Sequence, residues 1–228
     1  MTLRRLSTLA LACCLVTVGG CGPAPDTLPR RAIDEDDQRW AEAAGVEADD
    51  LGPEWRGDAP EERAGKRAAG CRAIDYSDLT LTAEANGDSL FDGERLVALS
   101  VVQVYASEDE ARAAVARGTG EDAVECTVHA FRVSITKIDE GFDLFDIAGR
   151  EAERPEAGAA ARHFELVLDF EVRGERVPGF FDIYALQRGR AVFALFLGGT
   201  VKFPPELAER VIERVDARLR ADPPPPRG

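Results

Sequence analysis

The stretch from residue 164 to residue 197 constrains the fold more than any other part of the chain. Phe164, Leu166, Leu168, Phe170 and Val172 recur at every second position, the period of a strand that buries one face. Arg173-Gly174-Glu175-Arg176 then makes a turn, Phe181 to Leu186 a second strand, Arg188-Gly189-Arg190 a second turn, and Ala191 to Leu197 an apolar third strand. Strands joined by turns this tight pair with their sequence neighbours, so the pattern predicts an antiparallel meander. Its apolar face needs a cover. Pro204 and Pro205 open a helix where missing amide hydrogens cost nothing, and Leu207, Val211, Val215 and Leu219 recur every four residues along it. Glu206 with Arg210 and Asp216 with Arg220 are expected as i,i+4 pairs on its outer side.

Upstream, Leu79 to Ala83 alternates as a strand, and Leu96 to Tyr105 is almost wholly apolar, as befits a central strand covered on both faces. Ser107-Glu108-Asp109-Glu110 reads as a capping box opening a helix that ends at Gly118. A second helix begins near Thr119 with Val124 and Val128 on one face. Phe131 and Ile135 continue that helical stripe, but Phe131, Val133 and Ile135 also alternate as a strand. The β-branched pair favours helix to about 130 and strand to about 138. Asp139, Glu140, Asp143 and Asp146 read as a loop that folds Phe142, Leu144 and Phe145 onto the sheet, and 148 to 161 as a further loop. The fold class is α+β: an antiparallel β-sheet of about six strands with helices packed on it, ending in the three-stranded meander and a C-terminal helix.

The N-terminus reads as an address. Arg4 and Arg5 precede a charge-free run from Leu6 to Val18, with Gly19 and Gly20 behind it, the layout of a secretory signal and too short to span a bilayer. Val18-Gly19-Gly20-Cys21 resembles the bacterial lipobox, which implies removal of residues 1–20 and lipidation of Cys21. The chain carries 28 basic and 42 acidic side chains, a net charge of −14, and loss of Arg4 and Arg5 leaves −16. Such acidity excludes nucleic acid as a partner, since phosphate binding relies on a basic surface. It also leaves attachment to an anionic membrane to the acyl chains, each buried methylene contributing about 0.8 kcal/mol.

Of five cysteines, Cys13 and Cys14 leave with the signal and Cys21 goes to lipid. Cys71 and Cys126 remain, an even number in an oxidising compartment, and are expected to form one disulfide. The organisation reads as signal peptide 1–20, lipid-anchored acidic linker 21–70, globular domain 71–221 and Pro-rich tail 222–228. Within the linker, a short helix at about 36 to 45 is capped by Asp34 and carries Trp40, and Trp55 follows in a turn-like setting.

The order of these features is familiar. A lipobox precedes an acidic linker with Trp55 and Cys71. Ser100-Val101-Val102 runs on to Ser107-Glu108-Asp109-Glu110-Ala111, and Cys126 lies on the second helix. Arg188-Gly189-Arg190-Ala191-Val192 joins meander strands before a Pro-opened helix. This resembles actinobacterial secreted lipoproteins related to the extracellular sensor domains of mycobacterial receptor Ser/Thr kinases and, more distantly, LpqN-type lipoproteins of the Mog1/PsbP-like fold. The resemblance implies a disulfide-stapled sheet with a groove and a binding or sensing role. Those kinase sensor domains carry two disulfides, whereas this chain can make one.

Catalytic signatures are lacking. His129 and His163 are the only histidines, no Gly-x-Ser-x-Gly elbow accompanies them, and glycine-rich phosphate loops are absent. No zinc spacing links the cysteines and histidines. The acidic runs at Asp34 to Asp37 and Asp49-Asp50 lack a calcium-hand pattern and read as solvated charge. No catalytic, cofactor or metal residue is therefore expected. The phenylalanines at 164, 170, 180, 181, 193, 196 and 203 read mainly as core, some lining an apolar groove. The expected function is a lipid-anchored extracytoplasmic binding or sensor-like module, not an enzyme, held to the outer face of the cell membrane through Cys21. The alternative is a carrier of an apolar envelope ligand in a groove between sheet and helices, and less so an envelope hydrolase.

Overall fold

The computed structural model describes residues 27–58, 74–93, 95–118, 120–135, 142–153, 160–172 and 174–224. In chain order the elements are β1 (Arg30–Arg31), α1 (Glu35–Ala43), α2 (Ala48–Leu51), β2 (Arg56–Asp58), β3 (Thr80–Asn86), β4 (Ser89–Phe91) and β5 (Leu96–Tyr105). They continue with α3 (Glu108–Arg117), α4 (Glu121–Ile135), β6 (Phe142–Glu151), β7 (Ala160–Val172), β8 (Glu175–Arg188), β9 (Ala191–Gly199) and α5 (Pro205–Ala221).

The strands form one sheet in the order β1-β3-β5-β9-β8-β7-β6, with β4 also on β5 and β2 on β4. All pairings are antiparallel except β1 with β3. The sheet therefore has nine strands rather than about six; the meander β7-β8-β9 and the C-terminal helix stand as the pattern requires. Period-two alternation sends each strand's side chains to two faces. On one face Val102, Val104, Tyr184, Leu186, Phe193, Leu195 and Leu197 pack under Leu207, Val211, Val215 and Leu219 of α5, with Ala41 of α1 and Leu51 of α2. On the other face Phe164, Leu166, Leu168, Phe170, Phe181 and Ile183 meet Val124 and Val128 of α4. There too Leu79, Leu81 and Tyr105 meet Ala111, Ala114 and Val115 of α3. Both faces thus carry packed helices, each large buried side chain contributing about 1.5–3 kcal/mol.

Several expectations need correction. The segment 131–135 is the last stretch of α4, not a strand: the helical spacing of 124, 128, 131 and 135 prevails over β-branched content, while 136–138 lie outside the described residues. Residues 142–151 are strand β6, not loop, because the long β7 offers its whole edge for pairing. The acidic residues Asp143 and Asp146 are accommodated on its exposed positions, with a register shift between Leu144 and Asp146; Asp139 and Glu140 lie outside the described residues. Ser107 caps α3 by accepting from the Glu110 amide at 3.1 Å, but the Glu110 carboxylate turns away to accept from the Thr80 amide at 2.7 Å, so the reciprocal half of the box is replaced by a tie to β3. Asp216 faces inward and is buried, reached by Arg188 as well as Arg220.

Residues 27–58, within the expected linker, contribute to the core. Ala41, Val46, Leu51 and Trp55 are buried in the α5-side cluster. Asp34 caps α1 as expected, accepting from the Asp36 and Asp37 amides at 3.0 and 3.1 Å. Asp37 is not solvated: it is 1% exposed and receives Arg190, while Thr82 Oγ1 donates to its Oδ2 at 2.5 Å. Trp40 Nε1 donates to the Asp222 carbonyl at 2.9 Å, tying the first helix to the end of the last.

Candidate groove between the sheet and the C-terminal helix

The α5 face of the sheet is covered over β5, β9 and part of β8, but less so toward β7 and β6. Val167 on β7 is 48% exposed and Phe145 on β6 is 50% exposed. Where the cover ends, a groove of about 1020 Å³ opens between α5 and the floor of β7 and β8. Strand register decides its floor. Val167 lies opposite Phe180, Glu165 opposite Asp182 and His163 opposite Tyr184, and alternation points all six to the α5 side. Ala208, Glu209, Ile212 and Glu213 form the helix wall, with Lys202 and Phe203 at one end and Arg188, Asp216 and Arg220 at the other.

The floor is polar at its centre. His163 Nδ1 lies 3.0 Å from the Glu153 carbonyl and Nε2 lies 2.8 Å from Asp182 Oδ1. The imidazole stacks on the Tyr184 ring at 4.3 Å between centroids. Burial works against the imidazolium, yet the Asp182 hydrogen bond, the Glu153 carbonyl and the Asp182 and Glu165 charges outweigh it, so its pKa lies above the ordinary value of 6.5. Tyr184, buried and beside Asp182 and Glu165, has its phenol pushed up and stays neutral. Glu165 is engaged by Arg150, whose Nε donates to Oε2 at 2.7 Å. His163, Glu165 and Asp182 are the one group of three ligand-bearing side chains close enough for a metal ion among the described residues.

The apolar part of the groove lies alongside. Phe180 is half-buried on the floor, with the Lys202 ammonium 5.9 Å from its ring centre. Of the phenylalanines expected as core, 164, 170, 181, 193 and 203 are buried, while 180 and 196 are half-buried. Arg188 closes the far end on Asp216, with Nε to Oδ1 at 2.7 Å and NH2 to Oδ2 at 3.1 Å.

Of the residues singled out from the sequence, Cys21 and Cys71 lie outside the described residues. Cys126 is half-buried on α4. His129 is exposed on α4, which covers the opposite face from His163, so the fold does not unite the two histidines. Asp182 and Glu165 drew no notice in the sequence, although their partnership with His163 follows from strand register.

No protein-family model matches the chain, and no curated protein matches it. Among solved structures it is similar to the extracellular domain of PknH from Mycobacterium tuberculosis, at 10% identity over 79% of this chain and 96% of that chain, with a TM-score of 0.39. A likeness at that level bears on neither ligand nor activity.

Proposed function

We propose that the chain is a lipid-anchored extracytoplasmic binding module whose ligand lies in the groove between α5 and the β7-β8 floor. The groove carries this reading: it combines an apolar strip at Val167, Phe180 and Ile212 with a charged floor at His163, Glu165 and Asp182, the usual composition of a small-molecule site. A binding role suits His163 better than proton transfer, because the protein itself engages both ring nitrogens. The address is supported by residues 4–21, with Cys21 as the acylated residue and Cys71 as the expected partner of Cys126.

Native mass spectrometry of the protein purified from its own cells tests the binding role. A co-purifying small molecule, lost from a Phe180→Asp variant that still folds, is the expected result. Ligand-free protein that binds nothing from an envelope extract would overturn it. Cys21→Ser is expected to release the protein from the membrane fraction, and unchanged partition would remove the anchor. A second reading, a carrier of an apolar ligand, is favoured by the half-exposed Val167 next to Phe180; a bound acyl-chain species in the same experiment would select it.

A further inference from the structure

We propose that His163, Glu165 and Asp182 form a binding site for a divalent cation of the zinc class, opening onto the groove. Glu165 and Asp182 face each other across the β7-β8 ladder, and His163 stands two residues along on the same face. Their ligand atoms lie within 4.8 Å of one another. One imidazole with two carboxylates is a donor set that zinc accepts, and sites with three protein ligands keep a further position open. All three side chains line the groove, so a further ligand would reach the cation from there.

The imidazole is held as metal-ligating histidines are held. Its Nδ1 lies 3.0 Å from the Glu153 carbonyl, outside the trio, and the ring is stacked on Tyr184. These contacts fix the Nδ1–H tautomer and aim Nε2 at Asp182, the outer-shell arrangement that orients a ligand nitrogen. Glu165 is likewise steadied from outside by Arg150, through its Oε2. In the absence of metal a proton on Nε2 bridges His163 to Asp182 at 2.8 Å. Two ligand atoms on a tetrahedral zinc stand about 3.3 Å apart, given bonds of about 2.0 Å. A cation therefore takes the proton's place with a small opening of the pair. The Nε2–H bond breaks, its proton passes to water, the nitrogen lone pair binds the cation, and no electron changes hands.

The cation shares its three floor residues with the proposed ligand groove but needs no organic ligand in order to bind. Its test is titration of the chelator-stripped mature chain with zinc chloride, followed by calorimetry and equilibrium dialysis. One equivalent is expected to bind, at least tenfold more weakly in His163→Gln and in Glu165→Gln, the latter altering a partly exposed side chain. Magnesium chloride at the same concentration is expected not to displace zinc, which selects for the nitrogen donor. Zinc-edge X-ray absorption of the wild-type chain should show one imidazole among oxygen donors, a readout that needs no variant to fold. The proposal is overturned if the folded wild type takes up no stoichiometric zinc, if both folded variants bind as tightly as the parent, or if the spectrum lacks imidazole scattering.

Discussion

Arg190, in the turn between β8 and β9, grips Asp37 in the first turn of α1 from 153 positions away, with NH1 to Oδ2 at 3.0 Å and NH2 to Oδ1 at 2.6 Å. Both side chains are almost wholly buried, and the same guanidinium donates to the Tyr105 carbonyl at 2.8 Å. Removing one partner of such a pair strands the other charge in the interior. Asp37→Ala is therefore expected to cost about 3 kcal/mol or more in urea-unfolding free energy. A loss under about 1 kcal/mol, the range of a surface pair, would show the contact to be peripheral.

The same contact sets a minimum length for the folding unit. A fragment beginning at residue 71 lacks Asp37, Ala41, Val46, Leu51 and Trp55, all buried in the intact chain. Residues 27–228 should give a single cooperative thermal transition, and residues 71–228 should not. Equal melting temperatures for the two would refute the integration of the acidic segment.

His163 supplies a pH dependence whose sign is set by its raised pKa. A histidine that binds its proton more tightly when folded adds stability that is fully present below its unfolded value of about 6.5 and is lost as pH climbs through the higher folded value. In chelator-treated protein, unfolding free energy should fall across that window, above about pH 6.5. His163→Gln should flatten this part of the profile. A variant with the parent's slope would assign the dependence to another group.

Gly149 on β6 marks how closely α4 lies on the sheet. A Cβ at this position would come 2.7 Å from Leu166 Cδ2 and 2.8 Å from Val128 Cγ2. Gly149→Ala should lift α4 from β6 and cost about 1–3 kcal/mol, as overpacked interiors do. Tryptic cleavage within α4 should accelerate in parallel; stability equal to the parent's would mean that the helix yields freely.

The meander and α5 were legible because alternation and four-residue spacing announce them locally. β6 was not, since its acidic positions look like a loop until the edge of β7 is available to pair with. The N-terminal contribution was hidden for a similar reason. Ala41, Val46, Leu51 and Trp55 are isolated among charges, and the partner of Asp37 lies at the far end of the chain. The groove floor turned on one detail of a turn. With Val172 paired to Glu175, counting outward along β7 and β8 brings Glu165 to Asp182. A four-residue turn from Arg173 to Arg176 would set Glu165 opposite Tyr184 and break up the trio. Periodicity assigns a face, and only the register assigns neighbours.

The placement of β1 has a consequence for orientation. It lies at the outermost position beyond β3, parallel to it, with the chain entering from Thr27. Four strand spacings, about 19 Å at about 4.8 Å each, separate it from β8. If Cys21, six residues before Thr27, carries the proposed anchor, attachment falls at the β1 edge of the sheet, four strands away from the groove floor.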